Sequence, residues 1–125
     1  MKQNINVILY CRVNSNTQSE SNENQKNQLM EYCKENGYSV CAIIEDVRSG
    51  KNPLSDETYA LLHKYKNEAK IILITTWDRL SRSISNIAVD LRRLQEIGFD
   101  IVPVNRQVTM DLEYKFILNG LYEEK

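Results

Sequence analysis

Three arginines are the residues of this chain whose type and spacing are best suited to chemistry. Arg12 follows the apolar run 6–10, and Arg79 and Arg82 follow the apolar run 71–75. Arg79 and Arg82 share a face if their segment turns helically, because residues at this spacing are neighbours on a helix. Guanidinium groups that converge repel one another unless an anion joins them, and their planar fork matches a phosphate group. The pattern therefore indicates a phosphate site.

A second interpretation of the same arginines stays open. Each could be a separate surface residue that pairs with a neighbouring aspartate, and the candidate partners are Asp46, Asp56 and Asp78. The spacing alone does not decide between one anion site and separate ion pairs.

Other kinds of site find little support in the sequence. His63 is the single histidine, and its polar helical surroundings are typical of a solvated residue. The three cysteines share no CxxC spacing, which favours reduced thiols of a cytoplasmic protein over a disulfide framework or a zinc site. The glycine-rich patterns of nucleotide-binding loops do not follow the first apolar run. We therefore expect no metal and no cofactor.

Length and composition favour one globular domain spanning residues 1–125. Apolar residues make up 42% of the 125 residues, which is enough for a core. Lysine and arginine number 16 against 17 acidic residues, so a strongly basic coat for nucleic acid is excluded and any such contact must be local. The apolar runs are too short to span a membrane, and the N-terminus carries no secretion signal.

Short apolar runs alternate with amphipathic stretches, which predicts an α/β fold. The alternation implies a single domain with a mostly parallel sheet of four or five strands and helices on both faces. Leu29, Met30 and Cys33 should form the buried face of the first helix. The predicted strands are 6–10, 38–45, 71–75 and 100–104, and the predicted helices are 24–35, 55–67, 84–97 and 111–124.

The carboxyl ends of parallel strands meet at one edge of the sheet, where ligands bind in such folds. We therefore expect Arg12, Arg79 and Arg82 to converge there. The segment 46–54 follows the second predicted strand and contains glycine and proline, so we predict a mobile loop.

Three segments at these strand ends carry motifs. Residues 10–18 read YCRVNSNTQ, residues 46–50 read DVRSG, and residues 77–83 read WDRLSRS. In this order they resemble the Y-x-R-V-S-T-x-x-Q, D-x-x-S-G and D-R-L-x-R-S segments of the serine recombinases, the resolvase/invertase family. The resemblance extends over roughly residues 5–122, and Gln25 falls just inside the first predicted helix, as in that family.

The resemblance implies a catalytic domain that cuts DNA through a phosphoserine link and exchanges strands within an oligomer, without metal or cofactor. Its implied partner is DNA. Arg12, Arg79 and Arg82 would hold the DNA phosphate, with Asp78 orienting them or assisting proton transfer. The other residues that the resemblance places at the site are Gln18, Asp46 and Ser49.

The chain departs from the family pattern at the nucleophile. Asn14 stands where the family has its serine, and an amide does not attack phosphate. Side chains alternate between the faces of an extended segment, so Ser15 points away from Arg12 unless the chain bends there. If the chain bends at the end of the strand, Ser15 could replace the missing serine as the nucleophile. A family arginine is also missing near Asp56.

These observations leave three hypotheses. The first is a serine recombinase catalytic domain whose cleavage is impaired at Asn14. The second is a pseudo-enzyme that binds DNA or a partner recombinase and regulates it, and the third is a flavodoxin-like protein-interaction module. We expect no separate DNA-binding domain within this chain, and a weak homodimer through the apolar side chains of the last predicted helix, 111–124.

Overall fold

Strands and helices alternate along the part of the chain that the computed structural model describes, which is residues 5–13, 19–47, 53–81 and 83–105. A short 3-10 helix, Trp77–Arg79, follows the third strand. The elements in chain order are β1 (Ile5–Val13), α1 (Ser19–Asn36), β2 (Tyr38–Val47), α2 (Asp56–His63), β3 (Ile71–Ile74), α3 (Ile84–Ile97) and β4 (Asp100–Pro103).

The four described strands form one parallel sheet in the order β2-β1-β3-β4. In the register of β1, Leu9 lies opposite Ile43 of β2 and Leu73 of β3. Because every described pair is parallel, each connection must cross over the sheet, and the helices cover both faces. The predicted single α/β domain is confirmed.

Alternate residues of β1 supply the two cores. Val7, Leu9 and Cys11 point to one face, where they pack with Leu29 and Cys33 of α1. The intervening β1 side chains point to the opposite face and join a larger apolar cluster with α2 and α3. The buried members of this cluster from β1, β3, α2 and α3 include Ile8, Tyr10, Ile72, Tyr59, Leu62, Ile87, Leu91 and Leu94. Apolar residues on both faces of β1 are what a central parallel strand requires.

Capping residues set the limits of the two later helices. The Ser83 hydroxyl accepts a hydrogen bond from the backbone N–H of Asn86 at the start of α3, and the Ser55 hydroxyl accepts one from Thr58 at the start of α2. Gly98 ends α3 with φ of 121°, a conformation that favours glycine. The sequence predicted both caps and the terminal glycine.

Strands β1 and β2 extend beyond their predicted ends, which corrects the placement of two site residues. Arg12 and Asp46 were predicted to follow the strands, but they lie opposite each other within the paired strands β1 and β2. The predicted loop 46–54 therefore begins later than expected. A strand continues through polar and charged residues when its backbone still has a neighbouring strand to bond. The polar residues after the apolar runs therefore did not mark the ends of β1 and β2.

Helix α1 also differs from its prediction. It begins at Ser19, earlier than residue 24, because the preference of serine and asparagine for turns is weak and does not by itself exclude a helix. Met30 is exposed, whereas Leu29 and Cys33 are buried. Residues at positions i and i+4 share a helical face, and Met30 lies outside the narrow stripe that this pair forms.

Two predictions fall wholly or largely outside the described residues. The predicted helix 111–124 lies there entirely. Of the predicted mobile loop 46–54, the structure describes residues 46–47, which belong to β2, and residues 53–54. Leu54 is buried with its N–H bonded to Asp90. Among the described helices none is long and apolar enough to cross a membrane.

The adjacent leucines of α2 provide a test of this packing. Leu62 is 1% exposed and Leu61 is 39% exposed. We expect Leu62→Ala to lower the free energy of unfolding by about 3 kcal/mol through lost burial and a cavity, measured by urea denaturation. The matched variant Leu61→Ala should lower it by no more than about 0.5 kcal/mol. Equal losses in the two variants would contradict the orientation of α2.

Candidate functional site

Arg12 lies near the carboxyl end of β1 and is buried, with 1% of its surface exposed. Its Nε donates a hydrogen bond to the carbonyl of Arg79 (3.1 Å), and its Nη2 donates one to the carbonyl of Asp78 (2.8 Å). Carbonyl oxygens offset part of the cost of burying the guanidinium charge. The end of β1 is thereby fastened to the 3-10 helix that follows β3.

Arg79 completes a reciprocal contact with Arg12. Its Nη1 donates a hydrogen bond to the carbonyl of Arg12 (3.2 Å), and its side chain is half-buried. The structure thus brings together two of the three arginines that the sequence singled out. Arg12 is enclosed by protein, whereas Arg79 keeps part of its surface open to a ligand.

Asp78 contributes through its backbone as well as its side chain. Its carbonyl accepts the hydrogen bond from Arg12, and its carboxylate accepts one from the hydroxyl of Thr76. The resemblance implied that Asp78 orients the arginines or assists proton transfer. In the structure it is the backbone oxygen of this residue that holds Arg12.

Asp46 lies on β2, directly opposite Arg12 of β1. Its carboxylate accepts a hydrogen bond from the hydroxyl of Tyr10 at 2.7 Å. Tyr10 is buried and belongs to the larger apolar cluster, so this bond holds the Asp46 side chain on the α2 and α3 face of the sheet, where Arg12 also points.

Gln25 is the site residue to which the sequence assigned no role. Its side chain is buried in α1, where Oε1 accepts from the N–H of Arg12 (3.1 Å) and Nε2 donates to the carbonyl of Arg12 (2.9 Å). One amide thus satisfies both backbone groups of Arg12. The only sequence signal was the position of Gln25 inside the first predicted helix.

The other residues that the sequence placed at the site lie outside the described residues, and their roles remain predictions. They are Asn14, Ser15, Gln18, Ser49 and Arg82. Asp56, where a family arginine is missing, is described. Its carboxylate lies 3.9 Å from the guanidinium of Arg93 on α3, and its side chain is 99% exposed.

Cys11 precedes Arg12 and faces α1. Burial, with a smaller effect of the Glu45 carboxylate, raises the pKa of the Cys11 thiol to about 11. The thiol is therefore neutral near pH 7 and poorly nucleophilic. All three cysteines are free, and no group of three or more histidine, cysteine or acidic side chains in the described part of the chain could hold a metal ion.

A protein-family model covers most of this chain. Residues 7–121 match the model of the family described as Resolvase, N terminal domain. The chain therefore belongs to this family. No curated protein sequence matches the chain.

Solved structures show the same fold. The C-terminal catalytic domain of ISC1926 TnpA, an IS607-like serine recombinase, is similar at 24% identity, with 95% of this chain and 97% of that chain covered and a TM-score of 0.70. The N-terminal catalytic domain of TP901-1 integrase is similar at 24% identity, with 94% of each chain covered and a TM-score of 0.69. A serine recombinase from Sulfolobus solfataricus is 27% identical, with 94% and 87% covered and a TM-score of 0.63.

The double hydrogen bond of Gln25 predicts a cost for its removal. Gln25→Ala leaves the buried N–H and carbonyl of Arg12 without this partner, so we expect the free energy of unfolding to fall by about 2 kcal/mol in urea titration. Gln28→Ala, at an exposed position of the same helix, should cost about 0.5 kcal/mol or less. An equally small effect at Gln25 would show that the side-chain amide does not hold Arg12.

Proposed function

We propose that this chain is a serine recombinase catalytic domain that binds a DNA phosphate at Arg79 but does not cleave the strand. The observation that carries the proposal is the reciprocal contact between Arg12 and Arg79 at the carboxyl edge of the sheet. Residues 7–121 form the catalytic domain in this proposal, in line with the family match.

The two arginines have different tasks in this proposal. Arg79 is half-buried and binds the phosphate, because its planar guanidinium matches two phosphate oxygens. Arg12 is enclosed and acts as a positioning residue that holds the backbone of Asp78 and Arg79. A cation that is held in place before the anion arrives loses little freedom on binding. Arg82 is the proposed second phosphate contact, on the strength of the family motif.

The absence of cleavage rests on the residue at the nucleophile position. The motif resemblance predicts Asn14 at the position of the family serine, and its amide cannot form a phosphoserine link. A domain with phosphate-binding arginines and no attacking hydroxyl would hold DNA without cutting it. Such a domain would regulate recombination by occupying DNA or by joining an active partner recombinase.

Binding of DNA by Arg79 can be measured directly. We expect Arg79→Ala to weaken binding to a fluorescently labelled DNA duplex about tenfold, and to reduce the dependence of log K on log salt by about one unit, because one phosphate contact is lost. Fluorescence anisotropy at several salt concentrations gives both quantities.

Arg92→Ala is the control for this experiment. Arg92 is an exposed arginine on α3, so its removal makes the same change in net charge. We expect at most a twofold effect from this variant, since it loses only long-range attraction. Equal weakening by the two variants would contradict a phosphate site at Arg79.

The chemistry is tested with a supercoiled plasmid and a denaturing gel that detects protein bound covalently to DNA. The unsubstituted chain should form no adduct, whereas Asn14→Ser restores a hydroxyl and should give a faint adduct that Arg79→Ala abolishes. An adduct from the unsubstituted chain that disappears in Ser15→Ala would identify Ser15 as the nucleophile and refute the proposed loss of cleavage.

We further propose a weak homodimer through the segment 111–124. This segment carries more apolar side chains than one helical face needs, namely Phe116, Ile117, Leu118, Leu121 and Tyr122. Sedimentation velocity should show a concentration-dependent shift towards dimer in the high micromolar range, and Leu121→Asp should suppress it. A monomer at every concentration would refute the proposal.

A further inference from the structure

Asp90 is a fully buried carboxylate on α3 that the arginine site does not include. Its exposed fraction is 0%. Oδ1 accepts a hydrogen bond from the hydroxyl of Tyr59 at 2.5 Å, and both carboxylate oxygens lie 3.1–3.2 Å from the backbone N of Leu54. One side chain of α3 therefore holds both α2 and the segment that precedes it.

A carboxylate at this place is not what packing alone would favour. Its neighbours Tyr59 and Leu54 belong to the larger apolar cluster, and an ionised group costs free energy in such surroundings unless it is well hydrogen-bonded. Apolar side chains of similar size fill a core at lower cost. The bonds of Asp90 give a defined position to the Leu54 backbone, which an apolar residue could not provide.

The position of Leu54 matters because its apolar cluster reaches the segment that carries the candidate phosphate site. Leu54 and Tyr59 share their apolar cluster with Trp77 and Leu80, the residues that flank Asp78 and Arg79. The other end of the β2–α2 connection is held at Asp46 by the hydroxyl of Tyr10.

We propose that Asp90 is a positioning residue for the binding of DNA phosphate at Arg79. It acts by holding Leu54 and Tyr59 against the cluster that supports the 3-10 helix Trp77–Arg79. The inference rests on the proposed DNA binding, and it adds a residue that does not itself contact the phosphate.

The sign of the effect separates positioning from electrostatics. Asp90→Ala removes at most one negative charge, so charge alone would leave the binding of DNA unchanged or strengthen it. Positioning predicts the reverse, and we expect the affinity for the labelled duplex to fall about fivefold because two buried hydrogen-bonding groups lose their acceptor. Glu96→Ala is the matched control, since it removes an acidic group from an exposed side chain of the same helix, and it should leave binding unchanged or slightly tighter.

Two further variants identify the mechanism. Asp90→Asn keeps an acceptor oxygen and should restore part of the lost affinity. In a chain that already carries Arg79→Ala, the Asp90→Ala change should have less than a twofold effect, because the contact it positions is gone. An unchanged or tighter complex with Asp90→Ala, or the same loss with and without Arg79, would overturn the inference while leaving DNA binding by Arg79 intact.

Thermal melting followed by circular dichroism shows whether each variant is folded. If Asp90→Ala does not fold, Tyr59→Phe takes its place, because it removes one hydrogen bond and retains the ring. We expect Tyr59→Phe to weaken DNA binding about twofold to threefold, and full affinity in this variant would overturn the inference. Failure of the unsubstituted chain to bind DNA would refute the proposed function and this inference together.

Discussion

The burial of the Arg12 guanidinium is the constraint on which the rest of the site depends. A buried cation must find acceptors, and in this fold two of them are the carbonyls of Asp78 and Arg79. These carbonyls belong to the segment after β3, whereas Arg12 belongs to β1. The buried charge therefore determines where the turn after β3 lies, and the position of the turn determines where the Arg79 side chain lies.

The parallel sheet makes this arrangement possible. Strands β1 and β3 are neighbours in the same direction, so the residues at their carboxyl ends lie side by side. The helices protect the polar groups from water and complete their hydrogen bonds. Gln25 of α1 bonds the backbone of Arg12 from one face, and Asp90 of α3 bonds the backbone of Leu54 on the other. Each of these bonds joins two elements that are distant in sequence.

Membership of the resolvase family connects the arginine pair with the proposed binding of DNA phosphate. The chain has the fold of this family, and the resemblance of residues 10–18 to the family motif predicts Asn14 at the position of the family serine. Phosphate binding and nucleophilic attack require different side chains, so a chain can lose one and keep the other. Under the proposed function, the arginine pair holds the DNA phosphate and Asn14 offers no hydroxyl for attack.

The sequence alone determined the class of fold and the residues to inspect. The apolar runs placed four parallel strands, and Ser83 and Gly98 marked the limits of α3. Arg12, Arg79 and Arg82 were expected at one sheet edge, where the structure brings Arg12 and Arg79 together. These features are local, because apolar periodicity and capping act over a few residues. Tertiary structure decided that Arg12 and Asp46 remain within paired strands, that Met30 is exposed, and that Gln25 and Asp90 hold distant backbone groups. No local pattern encodes these results, because the partner of a buried polar group is chosen only when the helices pack on the sheet.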